Sequence, residues 1–378
     1  MAGKMKLGVL TGGGDCPGLN AVIRSVVKTA INDYDMEVVG FMDGYEGLIE
    51  NRYKKLTSSD VSGILTLGGT ILGSSNRADP FNFPIMQGNE YIYLDRSSEA
   101  LQNFERLGLD VLITIGGDGT MAASQGMAEK GLKIIGVPKT IDNDLFGTDQ
   151  TFGFDSALAS AADAIDKIHS TAQSHHRVMV IEVMGRYAGW LALASGIAGG
   201  GDIILIPEIP YHIDVVCDKI KDRNVSGKNF SIIVIGEGAK ADGGEMVVKR
   251  MVENSPDQVR LGGVSNQLAA QIEGITTLET RVTILGHLLR GGTPTAFDRI
   301  LASRFGVASV HLAAKEDYGH MVALHGNEIG KVPIKDVAGK TRIITRDSSL
   351  LKTAVSLDTC LGVENPIIEN KEELAKQD

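Results

Sequence analysis

The stretch Leu109–Asp144 holds the residue types best suited to chemistry in this chain. An apolar run, Val111–Ile115, ends in Gly116-Gly117-Asp118-Gly119-Thr120. A helix-like segment follows, then a second apolar run, Lys133–Val137, ending in Pro138-Lys139-Thr140-Ile141-Asp142-Asn143-Asp144. Glycines at a helix start leave bare backbone N–H groups and a positive helix end to receive an anion. The second cluster adds two carboxylates, Asp142 and Asp144. Phosphate-binding glycines beside acidic residues predict phosphoryl transfer assisted by a metal ion. Each cluster alone has a plainer reading, since glycines after a strand often make only a tight turn and Asp-Asn-Asp only a polar loop. Chemistry is favoured because both clusters close adjacent strands of one βαβ unit, whose ligand crevice lies beyond the carboxyl ends of its strands.

Such clusters need a scaffold, and the rest of the chain repeats the same alternation. Lys6–Leu10 leads to Gly12-Gly13-Gly14-Asp15 and a predicted helix, Leu19–Asn32. Glu37–Phe41 reads as a strand, and the apolar run Gly63–Leu67 ends in Gly68-Gly69-Thr70. Ala157–Gln173 is a predicted helix, followed by the strand Arg177–Val183 and the loop Met184-Gly185-Arg186. Ile203–Ile206 ends at Pro207-Glu208, Phe230–Ile235 at Glu237, and Arg281–Leu285 at Gly286-His287, with Arg290 just beyond. Alternating strands and helices predict an α/β protein with mainly parallel sheets.

A length of 378 residues suggests roughly two domains and ample chain to bury a core. The formal net charge of -10, with no basic run, argues against a nucleic-acid partner. It also means that an anionic substrate must meet locally gathered cations. Cys16, Cys217 and Cys360 are scattered, which suits a reducing cytosol rather than a disulfide framework. No apolar run approaches the ~20 residues of a membrane span, and Met1–Lys6 is too short and polar for a signal peptide, so cytoplasm is the expected location. The polar segment Glu364–Asp378 reads as a surface helix or a frayed tail.

Taken together, Gly13-Gly14-Asp15-Cys16-Pro17-Gly18-Leu19-Asn20, Gly68-Gly69-Thr70, Gly116–Thr120, Pro138–Asp144, Met184-Gly185-Arg186 and Gly286–Gly292 occur in order. With them the chain closely resembles the bacterial-type 6-phosphofructokinase family over roughly residues 1–315. The resemblance implies two doubly wound, Rossmann-like α/β domains with the site in the cleft between them. A nucleotide domain would take 1–153 plus about 289–337, and a fructose 6-phosphate domain about 154–288 plus about 338–378. It implies Mg²⁺-dependent transfer of a phosphoryl group to the 1-hydroxyl of fructose 6-phosphate, from ATP or, in some members, pyrophosphate. A dimer or tetramer is implied as well.

Carried over residue by residue, the resemblance makes Asp142 the base, with Asp144 nearby and Thr140 on the phosphoryl group. Asp118 would help hold Mg²⁺. Gly13, Gly14, Gly116, Gly117, Gly119 and Thr120 would line the nucleotide phosphates, Tyr45 would stack near adenine, and Arg77 is chosen over Asn76 as the cation beside ATP. Arg177, Arg281, His287 and Arg290 would surround the 6-phosphate, the first two reaching a neighbouring subunit's site. Met184, Gly185 and Arg186 would contact sugar and transition state, and Glu237 a sugar hydroxyl. Arg24, Lys28 and Lys228 fall on an effector-binding set of allosteric relatives, whereas Ser58, His169 and Ser226 replace cations there.

Two positions bear on the phosphoryl donor. Gly119 leaves room for the α-phosphate of a nucleotide, whereas pyrophosphate-using relatives carry a carboxylate there. Lys139 points the other way, being typical of the pyrophosphate enzymes. A lysine is flexible and a steric block is not, so ATP is the expected donor. The alternatives are a pyrophosphate-dependent enzyme and a non-catalytic subunit that binds sugar phosphate. A lipid or NAD kinase would share the Gly-Gly-Asp-Gly loop but not the later motifs.

Overall fold

Strands covered on both faces read as unbroken apolar runs, and Val111–Gly116 is buried at every residue. In the computed structural model, which describes residues 4–88, 90–251 and 259–367, this strand lies within the larger sheet. The sheet runs Glu328–Pro333, His320–His325, Ile134–Thr140, Val111–Gly116, Lys6–Thr11, Glu37–Phe41, Tyr53–Leu56. Its inner strands pair in parallel, and only the two outermost pairings are antiparallel. The chain winds outward from Lys6–Thr11 in one direction and later in the other, so the order reverses between Lys6–Thr11 and Val111–Gly116. A crevice opens at such a reversal.

The smaller sheet is parallel throughout, in the order Ile203–Leu205, Ser231–Gly236, Val178–Val183, Thr280–Ile284. Its order reverses between Val178–Val183 and Thr280–Ile284, the strands that precede Met184-Gly185-Arg186 and Gly286–Arg290. Helices cover both sheets. Leu19–Tyr34 packs on Ala296–Ala314, an approach close enough that a side chain at Gly306 would collide with Ser25. At the start of the long helix Phe154–His175, Asp298 Oδ2 accepts from Ser156 N–H (2.8 Å) and Ser156 Oγ (2.6 Å). This buried pair bolts that helix to Ala296–Ala314.

The α/β fold with mainly parallel sheets agrees with the sequence reading, and most boundaries shift by only one to three residues. One apolar run behaves differently. Gly63–Leu67 adds no strand; Ile64–Thr66 is a single 3-10 turn packed on helix Leu19–Tyr34. Gly63 has a φ of +76°, which bends the chain, and Tyr53–Leu56 already occupies that sheet edge. The antiparallel hairpin Phe83–Gln87 with Glu90–Leu94, and the edge pair His320–His325 with Glu328–Pro333, are absent from the sequence reading, although Gly88-Asn89 and Gly326-Asn327 are two-residue turn signals between the paired runs. Of the tail Glu364–Asp378, residues 368–378 lie outside the described residues. Among the described residues no helix is long and apolar enough to cross a membrane.

Candidate active site

A cavity of about 300 Å³ opens at the reversal in the larger sheet. One wall is Gly12-Gly13-Gly14, held by Gly12 N–H to Ile115 O (2.9 Å) and Gly13 N–H to Ser75 O (3.1 Å). Gly13 sits at φ +75°, where glycine is favoured. The facing wall is Gly117-Asp118-Gly119-Thr120, the start of helix Asp118–Glu129, whose N-cap Gly117 offers no side-chain cap. The positive end of that helix therefore faces the cavity. Asp118 Oδ1 takes the Gly119 N–H at 2.7 Å. A Cβ built on Gly119 meets no atom within 4 Å, so the space beside it is open. Gly116 lies behind this wall against the Thr120 side chain rather than in the lining.

Tyr45 lines the same cavity but is buried, its hydroxyl 2.8 Å from Ser124 Oγ. Burial pushes its phenol well above the ordinary range. The sequence reading let Lys139 swing aside; the structure instead buries it to 4% exposure with Nζ donating to Gly14 O at 2.5 Å. Desolvation lowers the Lys139 pKa. Arg77 is the other departure. Arg77 N–H donates to Ser75 Oγ (3.2 Å) and Asp79 N–H to Arg77 O (3.0 Å), a turn that leaves Asn76 on the cavity wall and Arg77 off it.

The carboxylates stand on the loop after Ile134–Thr140. Thr140 Oγ1 accepts the Asp142 N–H at 3.1 Å, and Asn143, at φ +52°, turns the chain so that Thr140, Asp142 and Asp144 all line the cavity. Asn143 Oδ1 holds that turn by accepting the Thr151 N–H at 3.0 Å. Asp142 Oδ1 is buried and has no hydrogen-bond partner among the described residues. Burial raises the pKa of Asp142, opposed chiefly by the Arg290 charge and reinforced by Glu237. Burial also raises Asp144, reinforced by Asp142 and Asp118. A carboxylate shifted toward neutrality, with one oxygen left free to accept, is suited to take a proton from a hydroxyl.

Arg290 joins this cavity to the smaller sheet. Its Nη1 donates to Asp15 O at 3.2 Å, and its guanidinium lies where a Gly14 side chain would stand. Glu237 is raised first by burial and then by Glu182, while Arg186 and Arg290 lower it, so these charges share one neighbourhood. Glu237 N–H donates to Val183 O (3.0 Å) and Gly238 N–H to Gly185 O (3.1 Å), which stitches the two loops together. Met184, Gly185, Arg186, Glu237 and exposed His287 thus gather at the carboxyl end of the smaller sheet, outside the lining of the cavity in the larger sheet.

Arg177 and Arg281 do not join them. Both sit at the opposite end of the smaller sheet and share Glu279, which Arg177 Nη2 reaches at 2.9 Å and Arg281 Nη2 more closely. Seven residues of strand separate Arg177 from Met184, about 23 Å at ~3.3 Å per residue. Within one chain the two arginines therefore lie at the far end of the smaller sheet from the Met184 and His287 loops. For a divalent cation, Asp118 offers hard carboxylate oxygen on the cavity wall; among the described residues no group of three or more His, Cys, Asp or Glu could hold a metal.

Residues 6–313 match the family model described as Phosphofructokinase. The chain belongs to the phosphofructokinase family. A Clostridium perfringens protein named ATP-dependent 6-phosphofructokinase 2 is 49% identical over 354 residues, 93% of this chain and 97% of that protein. A Chloroflexus aurantiacus protein named ATP-dependent 6-phosphofructokinase is 48% identical over 363 residues, 96% of this chain and 99% of that protein. The solved pyrophosphate-dependent phosphofructokinase of Marinobacter aquaeolei gives a TM-score of 0.76 over 97% of this chain and 98% of its own, at 20% identity. That last likeness is one of fold alone. Within this phosphofructokinase, the sequence reading missed the wall formed by Ser75, Ala78 and Asp79. Its one signal is the glycine-rich approach to it, Gly68-Gly69-Thr70 to Gly73, and the pairing of Ser75 with Gly12 is long-range.

Proposed function

We propose that this phosphofructokinase transfers the γ-phosphoryl group of ATP to the 1-hydroxyl of fructose 6-phosphate. The observation that carries the reading is Asp142 Oδ1, buried and unpartnered beside a glycine-lined helix start. Such a pairing of proton acceptor and anion cradle serves phosphoryl transfer, in which positioning and charge stabilisation do most of the work. Gly13, Gly14, Gly117, Gly119 and Thr120 cradle the nucleotide phosphates, and Tyr45 packs near the base. Asp142 accepts the hydroxyl proton as attack proceeds, a role worth typically ~10²–10⁴ in rate. Arg186 places positive charge where the transferring group becomes most negative, and Arg290 meets the 6-phosphate. Met184, Gly185, Glu237 and His287 orient the sugar.

A hard carboxylate beside phosphates suits Mg²⁺, which is commonly held by one or two carboxylates plus substrate oxygens. Asp118 would hold it, and the bound ion supplies neutralisation of phosphoryl charge. ATP is favoured over pyrophosphate by the open space at Gly119 and by the tether that keeps Lys139 on Gly14 O. The nucleotide unit is assigned to 1–153 plus about 289–337, and the sugar-phosphate unit to the remainder. Arg177 and Arg281, turned away from their own chain's site, serve the 6-phosphate of a neighbouring subunit in a homo-oligomer. The test is a rate assay of purified protein with fructose 6-phosphate and Mg²⁺, run with ATP and with pyrophosphate. ATP turnover supports the reading; turnover with pyrophosphate alone reverses the donor, and none with either leaves a non-catalytic sugar-phosphate binder.

A further inference from the structure

The residues 341–344 belong to no motif and line neither the cavity nor the sugar-side loops, yet they bond to both halves of the site. Arg342 N–H donates to Asp144 O at 2.6 Å, and Arg342 Nη1 donates to Asn143 O at 3.1 Å. Thr341 pairs with Leu145 in an antiparallel bridge, so the strap follows the base-bearing loop directly. On its other side, the Arg342 guanidinium lies over the Trp190 indole with Cζ 4.2 Å from the ring centroid. Trp190 Nε1 donates back to Arg342 O at 2.8 Å. Trp190 opens the helix Trp190–Ala198, four residues after Arg186. A second tie runs through Glu208, whose Oε1 accepts from Gly189 N–H (3.0 Å) and Ile344 N–H (2.9 Å).

We infer that Arg342 is a positioning residue for phosphoryl transfer, clamping the Asn143 and Asp144 carbonyls to Trp190 and so holding Asp142 in register with the Met184-Gly185-Arg186 loop. Asn143 sits in the left-handed region at φ +52°, a conformation that surrounding contacts must enforce. Its side-chain bond to Thr151 fixes one end of the turn, and Arg342 fixes the peptide that follows. The guanidinium is half-buried, and such a charge-assisted bond is stronger and more directional than a neutral one. Stacking on the indole adds cation–π attraction and sets the plane from which the guanidinium reaches the loop. Misplacement of a reacting group by about 1 Å costs on the order of 10²-fold in rate.

The inference rests on Asp142 being the base, and the test separates the two. Trp190 is the single tryptophan of the chain, so its emission reports the stack without any need for turnover. Arg342→Met keeps the apolar stem and removes the guanidinium. It is expected to change tryptophan emission, lower kcat by roughly 10- to 100-fold and leave the KM for ATP within about twofold. Arg342→Lys, which keeps a cation for ring and carbonyl, is expected to recover most of that loss. Because the strap acts through Asp142, adding Arg342→Met to Asp142→Asn is expected to cost little further. Trp190→Phe, which keeps a ring but loses the N–H to Arg342 O, gives a milder variant if Arg342→Met fails to fold; wild-type kcat in it overturns the inference. Wild-type kcat in Arg342→Met, or its full rate factor on top of Asp142→Asn, also overturns the strap while sparing the base. Near-normal turnover in Asp142→Asn alone overturns the base assignment and the strap's purpose with it.

Discussion

A carboxylate introduced at position 119 separates the fold from the choice of donor. Gly119 is exposed on the cavity wall, and a Cβ there meets no atom within 4 Å, so Gly119→Asp enters without collision. Aspartate is a better helix residue than glycine by a few tenths of a kcal/mol, and a negative charge near a helix start gains about 0.3–1 kcal/mol. Repulsion from Asp118 opposes this, leaving stability within about 0.5 kcal/mol of the parent. Bound ATP meets a different situation. Two unit charges 4 Å apart repel by about 1 kcal/mol in water and about 4 kcal/mol at an effective dielectric of ~20. For an exposed cavity wall the effect lies between, roughly 1–3 kcal/mol, or about 5- to 150-fold in the KM for ATP. Steady-state rates with saturating fructose 6-phosphate, excess Mg²⁺ and varied ATP read the effect, and a thermal melt checks the fold. An intact melt with a KM for ATP within about twofold of the parent refutes the placement of the α-phosphate beside Gly119.

Asp142→Asn is expected to retain the fold and fructose 6-phosphate binding while losing at least ~10²-fold in kcat; near-normal turnover removes Asp142 from the mechanism. Burial raises both Asp142 and Asp144, and the base works deprotonated, so activity falls as pH drops through a limb above the ordinary aspartate value of about 3.9. That limb belongs to the pair, and a kcat profile that stays flat down to the ordinary value contradicts it. Arg177→Ala and Arg281→Ala are each expected to weaken fructose 6-phosphate binding by roughly 1.5–3 kcal/mol. Mixed oligomers, in which each mutant is also inactivated on its complementary side, should regain activity; verified mixtures that stay inactive make each site self-contained. A second cavity, about 540 Å³, gathers His169, Asp202, Arg223 and Lys228, but Arg223 is already paired with Asp202 at 2.8 Å. With Ser226 and Ser58 in place of cations, millimolar phosphoenolpyruvate is expected to leave the fructose 6-phosphate saturation curve unchanged, and a several-fold rise in half-saturation refutes this.

Much of the scaffold and half of the site are local properties of the chain, which is why they were legible in advance. Val111–Gly116 is a strand because its apolar run is too continuous for a half-exposed element. The glycines at 117 and 119 and the Thr140–Asp144 loop follow such runs directly, so placing the strands places the phosphate cradle and the carboxylates. Where a residue's role depends on a partner distant in sequence, the one-dimensional pattern carried no such information. Lys139 looked like a free flexible cation until the fold set the Gly14 carbonyl 2.5 Å from its amine, 125 positions away. Arg77 and Asn76 are neighbours, and only the turn closed onto Ser75 decides which of them lines the cavity. Arg177 and Arg281 sit near the same motifs in sequence as Met184 and His287, but the length of a strand puts them at the other end of the sheet. Arg342 lies about two hundred residues from the loop it grips, and its stack on Trp190 exists only because both sheets close on the same strap. Hydrophobic period and glycine placement act over a few residues, so the sequence by itself determined elements and their polar ends. Register between sheets is settled by packing across the whole chain, and only tertiary structure decided which charged groups meet.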